Sequence, residues 1–180
     1  MMPDSGARAI LAGQQGGVGV SNDEKVINVA WLEEHVLKCK LSDNEKQQLA
    51  GVVDRVEFAK GDTIVKEGDS GGFLYLLRRG SADVLKETAG HQQRITTATE
   101  GALFGEVTFL TGEPASASVV ANKDCVVYKM SRAGYSKLMQ TSQELVFALF
   151  TYMLVSSARI VRKMNEEHAG MLDYMTGSHK

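Results

Sequence analysis

The stretch that most restricts the fold runs from Arg55 to Lys86, where apolar residues alternate and glycines interrupt them at short intervals. Val56 and Phe58, then Ile64 with Lys66, then Phe73, Tyr75 and Leu77, then Ala82 and Val84 with Lys86 fall on alternate positions. Gly61-Asp62, Gly68-Asp69-Ser70-Gly71-Gly72 and Gly80 separate them. Successive side chains of a strand point to opposite faces, so the pattern is that of short, half-buried strands joined by tight turns. Strands this short escape their exposed edges by rolling into a closed or nearly closed antiparallel sheet. A hairpin follows, turning at Ala89-Gly90 and returning from Gln92 to Thr99, with His91 a solvated residue near its tip. Ser116 to Val120 and Cys125 to Met130 read as two further strands around the turn Asn122-Lys123-Asp124, with Cys125 an ordinary core thiol.

Helical periodicity brackets this β region. Asn22 or Asp23 is expected to cap a first helix carrying Val26, Ile27, Ala30, Trp31, Val36 and Leu37, with Trp31 read as core rather than as a ligand lid or interface anchor. Ser42 with Glu45 forms a capping box for a second helix whose apolar side is Leu49, Val52 and Val53. Ser131 caps a short helix through Tyr135, Leu138 and Met139, and Ser142 starts a long one reaching at least to Glu167. From Leu145 to Val155 that helix is apolar on nearly every face, which a helix wet on one side would not be. Val146, Phe150, Met153, Ser157, Ile160 and Met164 make a heptad-like seam. The segment either pairs with a second copy through residues 145–164 or packs across its own sheet; the homodimer is the expectation.

Composition removes several classes of function. At 180 residues and 43% hydrophobic, the chain can bury one core with flanking helices. A net charge of −2, with basic groups no larger than Arg159, Arg162 and Lys163, offers no surface to nucleic acid. Cys39 and Cys125 are too far apart for metal-ligand spacing and read as reduced thiols, so a cytoplasmic location with no metal site is expected. No apolar run suggests a membrane span, and the start of the chain lacks the order of a signal peptide. Residues 1–22 read as a flexible arm whose Gly13 to Gly19 run has no Lys-Ser/Thr pair to make a phosphate loop. Residues 23–141 form the helices and β-roll, and 142–180 the C-terminal helix and tail.

The chemistry concentrates between Gly101 and Ala121, GALFGEVTFLTGEPASASVVA. A short helix there begins at Gly105, so its free N–H groups face an anion without a Cβ in the way, while Glu106 in its first turn suits a hydroxyl. A sugar carrying a phosphate meets both demands. Phe104-Gly105-Glu106 and, at matching spacing, Pro114 resemble the phosphate-binding cassette of the cyclic-nucleotide-binding domain family, catabolite-activator and protein-kinase-A regulatory-subunit-like. Gly61-Asp62, Glu67-Gly68-Asp69, Phe73 to Leu77, and Gly80 with Val84 extend the resemblance over about Leu41 to Ser131.

The resemblance implies a mainly β fold: an eight-stranded, jelly-roll-like β-roll from about Val53 to Met130, two helices before it and a long C-terminal helix after it. It implies a ligand site built from Phe104, Gly105, Glu106, Val107, Pro114, Ala115, Ser116, Ala117 and Ser118, with Gly105 N–H on the cyclic phosphate and Glu106 on the ribose 2′-hydroxyl. The family arginine after Pro114 is replaced by Ala115, which removes about 1.5–3 kcal/mol of charged hydrogen bonding. Ser116 and Ser118, or Arg78, Arg79 or Arg94 from other strands, are the candidates to compensate. The ligand expected is cGMP or cAMP, with a lean to cGMP from the Ser116 hydroxyl. The tail after His168 leaves no room for a DNA-reading helix-turn-helix, so output is expected through an effector protein in trans. No nucleophile elbow or His-Asp pairing frames Ser116, Ser118, His91, Asp69 or Glu106, so no catalytic residue is assigned. The expected function is a non-enzymatic sensor that binds the nucleotide weakly. The alternative is a degenerate cassette serving as an interaction or dimerisation scaffold.

Overall fold

The computed structural model describes residues 26–176; the arm at 1–22 and the caps expected at Asn22 and Asp23 lie outside the described residues. Eight strands form two four-stranded antiparallel sheets, in the order β1-β8-β3-β6 and β2-β7-β4-β5. The strands are β1 (Val53–Phe58), β2 (Thr63–Val65), β3 (Phe73–Arg79), β4 (Ala82–Thr88), β5 (His91–Ala98), β6 (Leu103–Phe104), β7 (Ser118–Ala121) and β8 (Cys125–Ser131). β8 runs down the middle of its sheet, pairing from Val53↔Met130 to Phe58↔Cys125 on one side and with β3 on the other. Its burial follows from that position, with Cys125 to Tyr128 and Met130 all inside. β4 and β5 form the expected hairpin, and Ala89 (φ 51°) and Gly90 (φ 79°) both take the left-handed conformation that a two-residue hairpin turn requires.

The apolar residues form two cores. Leu77, Ala82, Phe104, Val119, Ala121, Cys125 and Val127, with Ile64, fill the space between the sheets. The outer face of the first sheet, through Leu74, Leu76, Leu103, Tyr128 and Met130, receives the helices. α1 (Val29–Leu32) starts where the Asn28 side chain accepts the Trp31 N–H at 2.9 Å, then widens into a π-helical turn at Glu33–Leu37. Trp31 is buried there, as a core residue. α2 (Asp43–Ala50) carries the Ser42–Glu45 capping box, and Ser131 caps α4 (Arg132–Thr141) by accepting the Gly134 N–H.

α5 (Gln143–Thr176) runs for 34 residues. Leu145, Leu149, Tyr152 and Met153 are buried in the helix-facing core, a stripe at spacings of four, three and one. This corrects the expected seam. Met153 is 2% exposed, so it faces its own domain and cannot face a partner, and Val146 is half-buried against the same core. The apolar residues left outward are Phe147 (72% exposed), Phe150, Leu154, Val155, Ile160, Val161 and Met171. Met164 lies outside the residues whose side chains are described. By length and composition alone, Gln143–Arg162, at a mean hydropathy of 1.6, could cross a membrane, against the expectation of no such run. Its buried stripe is nevertheless packed on the domain's own sheet.

A candidate ligand-binding cassette

β6 delivers the chain to α3 (Glu106–Thr111) through Gly105, and the backbone geometry there admits little but glycine. Gly105 sits at φ 78°, and a Cβ on it would lie 2.7 Å from the Phe73 carbonyl oxygen and 3.0 Å from the Tyr75 ring. β6 is held to β3 by the pairs Tyr75↔Phe104 and Leu76↔Leu103. Phe104 stacks on Tyr75 with ring centroids 5.5 Å apart and is buried between the sheets. It anchors the cassette from behind; its ring is a core element. Val107 and Leu110 point outward, while Thr108 and Phe109 turn in.

Glu106 is the electrostatically costly residue. It is half-buried, and burial holds its carboxyl above the usual glutamate range, opposed only by its own backbone N–H. Among the described residues no cation pairs with it. A carboxylate kept partly dry without a counter-charge is stabilised by any hydroxyl donor that arrives beside it.

The second half of the cassette is fastened to the turn after β2. Ala115 donates its N–H to the Asp69 carbonyl at 2.9 Å and accepts the Gly68 N–H at 2.8 Å, which buries its methyl. The Tyr75 hydroxyl is pushed upward by burial and, secondarily, by the Asp69 charge, so Asp69, Tyr75, Gly105 and Ala115 surround one region. Ser116 is exposed and Ala117 half-buried. The Ser118 hydroxyl oxygen accepts the Glu67 N–H at 2.9 Å, tying it to the same turn. Pro114 and Glu113 are exposed.

The arginines named as possible compensation are engaged elsewhere. Arg78 bonds Glu100 at 2.7 Å and lies over the Trp31 ring, and Arg94 pairs with Asp83 at 3.8 Å. Arg79 lies with Arg55 and Arg78 at a recess beside Tyr128. A cation that does reach the second half of the cassette is Lys86, whose ammonium donates to the Ser116 carbonyl at 2.8 Å and to Glu67. Its place at the end of an alternating strand gave it no distinction in the sequence. His91, paired with Thr88, stays at the exposed hairpin turn.

Side-chain hydrogen bonds from Arg132 and Tyr152 join the cassette to the C-terminal helices. Arg132, in the first turn of α4, donates to the carbonyls of Thr108 (2.9 Å) and Phe109 (2.7 and 3.0 Å), satisfying the end of α3. The Tyr152 hydroxyl on α5 donates to the Gly101 carbonyl at 2.6 Å, just before β6. A separate groove of about 980 Å³ opens between α1, the β5–β6 connection and α5, lined among others by Trp31, His35, Phe147, Thr151, Tyr152 and Arg159.

Two antiparallel sheets packed over an inner core, with a glycine-led cassette between β6 and β7 and a long helix behind, define a jelly-roll-like β-roll. Residues 55–142 match the family described as cyclic nucleotide-binding domain, and that stretch belongs to it. A cAMP-dependent protein kinase regulatory subunit from Aspergillus niger is 34% identical over 117 residues, covering 65% of this chain and 28% of that protein. The chain therefore spans little more than a quarter of the length of that relative. A cyclic nucleotide-binding domain from Methylobacillus flagellatus superposes with a TM-score of 0.69 at 25% identity, over 77% of this chain and 80% of the other. The regulatory subunit of a cAMP-independent protein kinase A from Trypanosoma brucei superposes at 0.60 with 26% identity, over 80% of this chain and 50% of that one. That protein is a triple mutant bound to cAMP in its A site, and one of its substitutions introduces an arginine.

Proposed function

We propose that this chain is a non-enzymatic regulatory domain that binds a cyclic nucleotide weakly at residues 104–118 and passes the event to α5. The observation that carries the reading is the entry to the cassette: a left-handed Gly105 that tolerates no Cβ, followed by a desolvated Glu106 with no cation paired to it among the described residues. The glycine N–H faces the cyclic phosphate, and the Glu106 carboxylate accepts the ribose 2′-hydroxyl. Ala115 in place of an arginine lowers affinity by roughly ten- to a hundredfold. The exposed Ser116 hydroxyl favours cGMP over cAMP.

Arg132 and Tyr152 are the mechanical links by which movement of α3 or of the Gly101 turn reaches α4 and α5. Output then passes through the exposed side of α5, which pairs with a second copy of the chain and presents the dimer to an effector protein. Phe147, Phe150, Leu154, Ser157, Val161 and Met171 fall on one heptad register, in which Phe150 and Leu154 each lie one position after the buried Leu149 and Met153. From Phe147 to Met171 the helix is roughly 36 Å long, and a stable interface buries roughly 800 Å² per partner. The competing scaffold reading draws on the same absence of charge at Ala115. Fluorescence or calorimetric titration with cAMP and cGMP separates the two, since a scaffold binds neither.

A further inference from the structure

The geometry points to Lys86 as the cation that faces the ligand's phosphate in place of the absent arginine, an inference that rests on the cyclic-nucleotide reading above. Lys86 comes from β4, across the sheet from the cassette, beyond a register shift between Val84 and Leu85 that alters the alternation of side chains. Its ammonium bonds the carbonyl of Ser116, the residue following Ala115, and its side chain is 44% accessible.

An ammonium has three donors. Two are taken, by Glu67 Oε1 and the Ser116 carbonyl, leaving the third for a ligand. Glu67 is itself fixed: its other carboxylate oxygen accepts the Glu87 N–H at 3.0 Å, and its own N–H goes to Ser118 at 2.9 Å. The cation is thus held in place before any ligand arrives, which removes the entropy of ordering a long side chain on binding. Its setting also calls for one. Glu106 carries its carboxylate into the cassette with no cation paired to it among the described residues, so an anion entering there meets negative charge unless Lys86 faces it. Arg132, the other cation on the cassette, is spent on the Thr108 and Phe109 carbonyls at the far end of α3. Lysine is a point charge without arginine's planar fork, so it supplies part of the lost affinity.

The test titrates the parent and Lys86→Met with cAMP and cGMP, and in parallel with adenosine and guanosine, which lack the phosphate. Expected is a ten- to hundredfold loss for the cyclic nucleotides, with nucleoside affinity unchanged, and retention of cyclic-nucleotide binding in Lys86→Arg. The double variant Lys86→Met with Glu67→Gln removes the stranded carboxylate and keeps the comparison valid if the single variant folds poorly; it must show the same selective loss. Equal loss for nucleotide and nucleoside, or no loss at all, overturns the assignment while leaving the cassette reading intact. A parent that binds no cyclic nucleotide overturns both.

Discussion

Glu106 sets the residue-scale behaviour, because its pKa is raised by burial in the folded chain. A raised carboxyl pKa means that its contribution to stability is present at low pH and is lost as pH rises through the folded value. Glu106→Gln is therefore expected to raise the melting temperature at neutral pH, with the gain shrinking toward acid, while ribose recognition fails. A thermal melt against pH checks this, and an unchanged melting point at pH 7 contradicts it. On the proposed reading, in which a ribose 2′-hydroxyl donates to the charged form, ligand affinity is expected to follow the opposite limb and fall as acid protonates Glu106, beginning above the usual glutamate range. At Gly105, an alanine must displace the Phe73 carbonyl or the Tyr75 ring and hold φ 78°, so Gly105→Ala is expected to destabilise by about 1–3 kcal/mol. Denaturant unfolding gives the value.

At the scale of elements, what could be read in the sequence was whatever depends on local chemistry. The alternating strands, the Ala89-Gly90 turn, the Ser42–Glu45 box and the Ser131 cap are each written within a few residues, and each is in place. The family stretch was legible for the same reason, through Phe104-Gly105-Glu106 and Pro114. Long-range placement was not. Periodicity cannot say which of two adjacent helical stripes faces inward when both are apolar, so Met153 was set on an outer seam although it is buried beside Leu149. Lys86 looks like any strand residue in the sequence, because nothing local links it to Ser116, 30 positions away. Arg132 was missed likewise. Its bonds to Thr108 and Phe109 predict that Arg132→Ala loosens α3 without unfolding the roll, costing about 1.5–3 kcal/mol. Hydrogen exchange confined to 106–112 is the expected signature; uniform protection loss across both sheets contradicts it.

The described residues combine a two-sheet β-roll with a helix that is apolar on two sides, one used by its own core and one left outward. Phe147→Glu with Leu154→Glu is expected to give monomers that melt like the parent, whereas Met153→Glu places a charge in the core and unfolds the domain. Light scattering at high micromolar concentration reads the first, and a parent that is monomeric there contradicts the dimer. The central claim concerns the pocket, and calorimetric titration of the intact chain with cAMP and cGMP, beside the same titration of Ala115→Arg, tests it most directly. The account predicts saturable binding at one site per chain, with a Kd of roughly tens to hundreds of micromolar for the parent and ten- to a hundredfold tighter for the arginine variant. Silence of both proteins toward both nucleotides at millimolar concentration would contradict it and leave the scaffold reading in its place.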